Sequence, residues 1–262
     1  MKTIQTIIIF ILFLFFQHLH AQQKTTVELD GFKGKVKQVK QDKYEASEKF
    51  GEVVQGERTS SMDENYLCDY DVSGKRIIKN CYNSDGSLDS KDSAKYDSKG
   101  AQSERNCYHN DGSFFGKYIY KYDDKGNLIG MYNYDANGTL TEKYTYKYDD
   151  KRNLIERNYY NADGNLLMRV SYKNDEKGNP LEENWYTPDA SLYKNYTYKY
   201  DDKGNRVEMV WYTSGFLYVK DTYKYEYDSQ GNWTKKIEFY NNPENTGEIR
   251  PQFITIRVIK YN

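Results

Sequence analysis

The chain has only three His among its 262 residues, and two of them, His18 and His20, sit near its N-terminus in what reads as a leader. Nucleophilic and acid–base catalysis usually recruits this side chain. The remaining His109 lies beside a turn, with no Ser, Cys or Asp constellation that the rest of the chain does not also repeat. Catalysis is therefore not expected, and no cofactor or metal is implied. Charge of one sign is lacking as well: 38 Lys and Arg stand against 39 Asp and Glu, with no block of either. Nucleic acid and anionic membranes call for a basic patch, so neither is an expected partner. Leu, Ile and Val are sparse, while Tyr reaches 29. Tyr favours strands and is half-apolar, so it can supply the buried area that aliphatic residues do not.

Long apolar runs are confined to the first residues. Lys2 precedes an apolar stretch from Ile4 to Phe16, interrupted by Gln5 and Thr6 and followed by Gln17-His18-Leu19-His20-Ala21. A basic start, a short apolar run and a small residue at the cut describe a secretory signal peptide. The run is shorter than the roughly 20 residues of a spanning helix; an uncleaved anchor is the alternative. Gln22 follows the expected cut where a lipoprotein would have Cys. The mature chain is expected to start at Gln22 and to be exported to the periplasm, the cell surface or the medium, with no transmembrane segment.

What the chain has in abundance is repetition. Gly recurs at 74, 100, 126, 178 and 204, with Arg152 in the one empty slot, a period of 26 residues. A second turn keeps the same period: Asp85-Gly86, Asp111-Gly112, Asn137-Gly138, Asp163-Gly164 and Asp189-Ala190, slipping by one to Ser214-Gly215. Fixed spacing of this kind denotes stacked copies of one unit. With each repeat Gly as position zero, position 3 reads Ile77, Ser103, Ile129, Ile155, Leu181, Val207, and position 14 reads Leu88, Phe114, Leu140, Leu166, Leu192. Tyr144-Tyr146-Tyr148 and Tyr196-Tyr198-Tyr200 alternate with period two, as strands do.

A two-residue turn at Asp-Gly pairs position 10 with 13, and a four-residue loop at Asp-x-x-Gly pairs position 22 with position 1 of the next repeat. Both give pairs summing to 23. Odd positions of the first strand and even positions of the second then share an apolar face, with Tyr146 between Ile129 and Ile155. The other face carries Glu104, Glu156, Glu182 and Glu208 at position 4, Asn80, Asn106, Asn158 and Asn184 at position 6, and Lys95, Lys121, Lys147, Lys173 and Lys199 at position 21. The expected fold is all-β: an antiparallel hairpin array of 26-residue tandem repeats forming a curved or coiled sheet. Residues 1–21 are the signal peptide, 22–60 N-terminal capping strands, 61–240 the array and 241–262 a C-terminal capping strand. The ends are less regular: Lys35 to Lys40 leads towards Tyr44, Phe50-Gly51 marks a turn, and the last strand is apolar on both faces, with Ile254, Ile256 and Val258 on one and Phe253 and Ile259 on the other.

The strings Tyr120 to Asn127, Tyr146 to Asn153, Tyr198 to Asn205 and Tyr225 to Asn232 resemble the YD-repeat (Rhs-type) family, whose units centre on Tyr-Asp-x-x-Gly. That likeness covers residues 61 to 240 and implies strand-turn-strand units coiled into a curved sheet or hollow shell. Long members carry a self-cleaving segment and a toxin domain. The 262 residues offer no candidate for either, so a toxin-delivery role is not expected.

The carboxylates at Asp123-Asp124, Asp149-Asp150 and Asp201-Asp202 admit two readings, calcium ligation or ordinary turn chemistry; the turn is preferred. Cys81 and Cys107 occupy the same position one repeat apart, roughly 9.6 Å, beyond the roughly 4.4 to 6.8 Å of a disulfide. Cys68 falls opposite Ile77, and all three are expected as buried free thiols. One row stands out on the polar face: Tyr82, Tyr108, Tyr134, Tyr160, Tyr186 and Tyr212, Tyr in all six copies of position 8. Rings about 10 Å apart could stack an extended glycan or dock a partner, or each could pack on position 15, such as Phe115, Leu167 or Tyr193. The function expected is an exported non-enzymatic repeat protein presenting a Tyr-rich surface to glycan or cell-envelope material. A structural or protein-interaction scaffold is the alternative.

Overall fold

The computed structural model describes residues 26–59, 64–213, 216–241 and 249–262. The expected signal peptide and the expected Ser214-Gly215 turn lie outside the described residues. A four-residue helix, α1 (Thr26–Leu29), precedes a long strand, β1 (Val36–Lys49), which folds back through Phe50-Gly51 into β2 (Glu52–Arg58). Then come β3 (Tyr66–Tyr70), β4 (Arg76–Tyr82), β5 (Leu88–Tyr96), β6 (Gln102–His109), β7 (Phe114–Tyr122), β8 (Leu128–Asp135), β9 (Leu140–Tyr148) and β10 (Leu154–Asn161). The chain continues through β11 (Leu166–Asn174), β12 (Pro180–Tyr186), β13 (Leu192–Tyr200), β14 (Arg206–Thr213), β15 (Phe216–Tyr227), β16 (Trp233–Asn241) and β17 (Ile249–Tyr261).

Each strand from β3 onward pairs antiparallel with the next, and β17 returns to β1, from Val36↔Tyr261 to Glu45↔Phe253. All strands but β2 thus form a closed ring of sixteen. The curved or coiled sheet expected from the repeats is in fact a barrel. The C-terminal strand is half of the closing seam, and closure removes the exposed edges that an open array would leave. β1 is long because it is shared: Gln38 to Gln41 pair with β3, Ala46 to Lys49 with β2. At the switch Asn65, fully buried, accepts the Lys43 N–H at 2.8 Å and donates to Thr59 O at 2.6 Å.

The two kinds of turn are more alike than their sequences suggest. In each, three residues bridge a hydrogen-bonded pair: Asn83 N–H donates to Ser87 O at 2.9 Å, and Asp97 N–H to Ala101 O at 2.8 Å. The third loop residue is left-handed, Gly86 at φ 86° and Gly100 at φ 87°, which Gly adopts without strain. A one-residue bulge then follows on one strand. The Asp-Gly hairpin therefore reaches its expected register by another route, with Cys107 opposite Gly116. At the other turn the register moves by two: Lys95 pairs with Glu104, so position 21 meets position 4 and not position 2. An even shift preserves the faces but changes the neighbours. Tyr146 pairs with Arg157, not between Ile129 and Ile155, and Cys68 faces Lys79, not Ile77.

The Tyr-Asp motif holds these turns. Tyr96, Tyr122, Tyr148 and Tyr200 donate their phenol hydroxyls to the carbonyls of Arg76, Gln102, Leu128 and Pro180 at 2.8 to 2.9 Å. Asn174 replaces Tyr in one copy and reaches Leu154 O at 2.8 Å. Asp97, Asp123, Asp175 and Asp201 each accept backbone N–H groups two and four residues on through Oδ1. Hydrogen bonds from Asn153 and Asn179 hold the Asp149 and Asp175 carboxyls below the usual range. Of the carboxylates considered for calcium, the first of each pair, Asp123, Asp149 and Asp201, is thus an acceptor of the turn.

The apolar core lies at the seam, not along the array. Val27, Phe32, Val36, Val39, Cys68 and Tyr70 pack together with 5 % exposure or less. The N-terminal segment is fastened there by Val27 N–H to Gly74 O at 3.0 Å, Lys33 N–H to Asn232 Oδ1 at 2.7 Å and Tyr70 O–H to Asp30 at 2.7 Å. In the array, Ile77, Ile129 and Ile155 are 38 to 47 % exposed, so the expected apolar face is not a sealed core.

Candidate functional site

Which face points into the ring follows from reach. Positions 5, 7, 16, 18 and 20 share one face, and there side chains two strands apart touch. The rings of Tyr159 and Trp185 stack with centroids 5.8 Å apart, and Arg157 lies 3.8 Å from Glu183. Flat strands would hold such residues about 9.6 Å apart. Side chains converge on a concave surface, so this is the inner face. Ile129 and Ile155, at its Asp-x-x-Gly rim, are 42 and 38 % exposed.

The inner face is lined by rings and cations. The Arg157 guanidinium carbon lies 4.8 Å from the Tyr159 centroid and 5.6 Å from that of Trp185. Lys194 Nζ stands between Trp185 at 5.2 Å and Trp211 at 5.7 Å. Arg105 covers Tyr118 at 4.1 Å and Arg206 covers Tyr198 at 4.1 Å. Beneath them Val170, laddered between Arg157 and Trp185, is fully buried. Glu183 joins the group, accepting Trp185 Nε1–H at 2.7 Å and Tyr198 O–H at 2.9 Å. The Nε–H groups of Arg105, Arg157 and Arg206 are buried without an acceptor among the described residues. Burial pushes Tyr146 up to about 12 and also raises Tyr172. These phenols stay protonated donors at neutral pH. The set suits stacking and anion recognition.

Position 5 holds Lys79, Arg105, Met131, Arg157, Glu183 and Met209. The cluster was missed from sequence because its face was taken for an apolar core. Charged residues in four of six copies at a supposed core position were the available signal.

The outer face carries the expected Tyr row. Tyr82, Tyr108, Tyr134, Tyr160, Tyr186 and Tyr212 pair with Leu88, Phe114, Leu140, Leu166, Leu192 and Leu217. In the first five the partner is position 14, because position 15 is the bulged residue, and Leu217 falls one place earlier; Tyr108 meets Phe114 edge-on at 5.7 Å. A cation lies over several rings: Lys117 over Tyr134 at 5.9 Å, Lys143 over Tyr160 at 5.5 Å and Arg169 over Tyr186 at 4.2 Å. Phe115 instead packs its ring on His109 at 5.1 Å. The Lys and Glu rows pair as Lys95–Glu104, Lys147–Glu156, Lys173–Glu182 and Lys199–Glu208, at 2.6 to 2.9 Å, with the Lys side chains 65 to 70 % exposed. None of the three Cys is in a disulfide; Cys68 and Cys81 are buried, whereas Cys107 is half-buried.

No family model and no curated protein matches the chain. Among solved structures it is similar to a porin-like protein from Bacteroides uniformis, with a TM-score of 0.58 and 12 % identity over 86 % of this chain and 96 % of that one. A porin-like protein from Bacteroides vulgatus is also similar, with a TM-score of 0.48 and 12 % identity over 87 % of this chain and 99 % of that one. The resemblance to YD-repeat proteins is corrected by these findings: the units build a closed barrel like that of the first structure, and no family model supports membership. Among the described residues no helix is long and apolar enough to cross a membrane, which says nothing of a barrel.

Proposed function

We propose that this is an exported, non-catalytic barrel with water on both faces that binds glycan or envelope polymer through its inner aromatic lining. The observation that carries the reading is the convergent Tyr159–Trp185 pair with Arg157 beside it. A spanning barrel needs an outward apolar band about 25 Å tall, and each Lys or Arg near its midplane costs about 2 to 4 kcal/mol. Here Glu stands at position 4, Asn at 6 and Lys or Arg at 17 in four of six repeats each, and Lys at 21 in five, placing charge on the outer face along the strands. The porin-like neighbours therefore inform the fold, and an envelope location is read with the barrel beside the lipid and not within it.

The outer Tyr row is the second candidate surface, but its rings diverge on the convex side, whereas the inner rings form a platform. The scaffold alternative is favoured by a separate observation, the tyrosine hydroxyls tied to turn carbonyls. A glycan array decides. Binding abolished by joint Ala substitution of Tyr159 and Trp185, and kept when Tyr160, Tyr186 and Tyr212 become Ala, supports the inner site. The reverse pattern selects the outer row, and no binding by a folded chain selects the scaffold. Association with vesicles that detergent alone reverses would overturn the water-exposed barrel.

A further inference from the structure

Position 7 carries Tyr159, Trp185 and Trp211 on β10, β12 and β14, alternate strands of the ring. They follow the inner circumference, across the strands. The first two rings stack at 5.8 Å, and Trp211, whose ring meets Tyr196 at 5.7 Å, is linked to Trp185 through Lys194. Val170 closes the floor beneath. Lys194 Nζ stands between the two Trp rings, and Arg157 lies beside the stacked Tyr159–Trp185 pair.

Two features go beyond a generic aromatic platform. Each cation lies against two rings of the row, Arg157 against Tyr159 and Trp185 and Lys194 against Trp185 and Trp211, so a ligand over the rings meets positive charge beside them. The carboxylate of the group, Glu183, is already engaged by Trp185 Nε1–H, by Tyr198 O–H and, at 3.8 Å, by Arg157. Lys194 has no carboxylate at ion-pair distance among the described residues, and Arg157 Nε–H lacks an acceptor. Rings with cations set against them on a concave strip match a polymer that carries anionic substituents on flat sugar rings.

Resting on the glycan-binding reading above, we infer that the strip Tyr159–Arg157–Trp185–Lys194–Trp211 binds an acidic oligosaccharide, its sugar faces on the rings and its carboxylates on Arg157 and Lys194. Stacking is tolerant of sugar identity, so the charge is what selects.

The test titrates the purified chain with a galacturonic acid hexamer and, in parallel, with the neutral cellulose hexamer, following tryptophan fluorescence and heat. The acidic hexamer should bind at least about tenfold more tightly, about 1.4 kcal/mol, and weaken as salt is raised. Lys194→Glu should cost the acidic hexamer about tenfold or more and leave the neutral one within about twofold. Arg157→Met, which keeps most of the apolar stem, should weaken the acidic hexamer in the same sense. Far-ultraviolet circular dichroism and an unchanged urea midpoint for Lys194→Glu confirm that the fold is intact. Equal affinity for the two hexamers, or an acidic affinity that Lys194→Glu leaves unchanged, overturns the acidic assignment while glycan binding stands. Failure of both hexamers to bind the folded chain overturns glycan binding itself.

Discussion

The seam and the array solve the same problem differently. At the seam, α1, β1, β3 and β17 bury Val27, Phe32, Val36 and Val39 to 5 % exposure or less around a compact apolar core. From β4 to β16 few side chains are sealed, among them Val170, Ala101 and Cys81. There the sheet is held by ladder pairing, ring and cation contacts, and the tyrosine ties to turn carbonyls. A repeat unit can copy such local contacts indefinitely. Closing the ring requires surfaces that no repeat contains, and these come from the residues that break the period.

The sharpest way to break this comparison is to weaken the seam. Phe32 packs on Tyr70 with ring centroids 6.4 Å apart and under the Arg257 guanidinium at 4.8 Å. Phe32→Ala should cost about 4 kcal/mol, in the range for a deeply buried aromatic. It should also reduce the cooperativity of urea unfolding, because the array then opens before it melts. In the array Tyr146 is half-buried opposite Arg157, and Tyr146→Ala should cost about 2 kcal/mol. Its neighbour Lys147 is paired with Glu156 at 2.7 Å but exposed, so Lys147→Ala should stay within about 0.5 kcal/mol. A midpoint for Phe32→Ala no lower than that of Tyr146→Ala would refute the division of labour.

How much of this was legible follows from the same division. The period, both turn families and the segregation of the Lys–Glu–Asn face from the Tyr face were written in residue types that repeat. Face assignment survived a wrong register because each bulge pair shifts pairing by an even number. Closure was not legible, since it sums a small twist and bend over many strands and is fixed by the nine pairs of β1 with β17. The trace that was visible, apolar residues on both faces of the last strand, fits a strand whose Ile254 is buried beside β1 while Ile259 packs against the core. The inner cluster was hidden because alternation distinguishes faces but not whether a face is dry.

A smaller effect separates the two regions by pH. Asp221 lies on the inner face where the array approaches the seam, with Oδ1 buried and without a donor among the described residues. Burial, then the nearby Glu238 charge, pushes its carboxyl up to about 6. A carboxyl raised in the folded state favours folding when protonated. That contribution is present below about pH 4 and is lost as pH rises through about 6. Asp221→Asn should therefore flatten stability between pH 4 and 6 and raise it at pH 7 by about 1 kcal/mol, less than the full shift would give because solvent reaches the side chain. Urea midpoints at pH 4, 5, 6 and 7 check this; parallel curves for the two proteins would remove Asp221 from the account.

The smallest effect concerns what distinguishes one repeat from the next. Ala190 occupies the slot that Gly fills at 86, 112, 138 and 164, and it takes the same left-handed backbone, φ 66° against 82 to 86°. A Cβ there costs about 1 kcal/mol, and removing it adds backbone freedom to the unfolded chain, so Ala190→Gly should gain about 0.5 kcal/mol. Arg152, at φ 69° in the other turn, bears the same strain, but its Nε donates to Asn127 Oδ1 at 2.8 Å, linking one repeat's turn to the next. Arg152→Gly should relieve the strain and lose that link, leaving stability within about 0.5 kcal/mol of the parent. Ala190→Gly should raise Tm by about 1 to 2 °C while Arg152→Gly does not. A fall in Tm for Ala190→Gly would show that its turn does not need a left-handed third residue, and the register built on three-residue loops would fail with it.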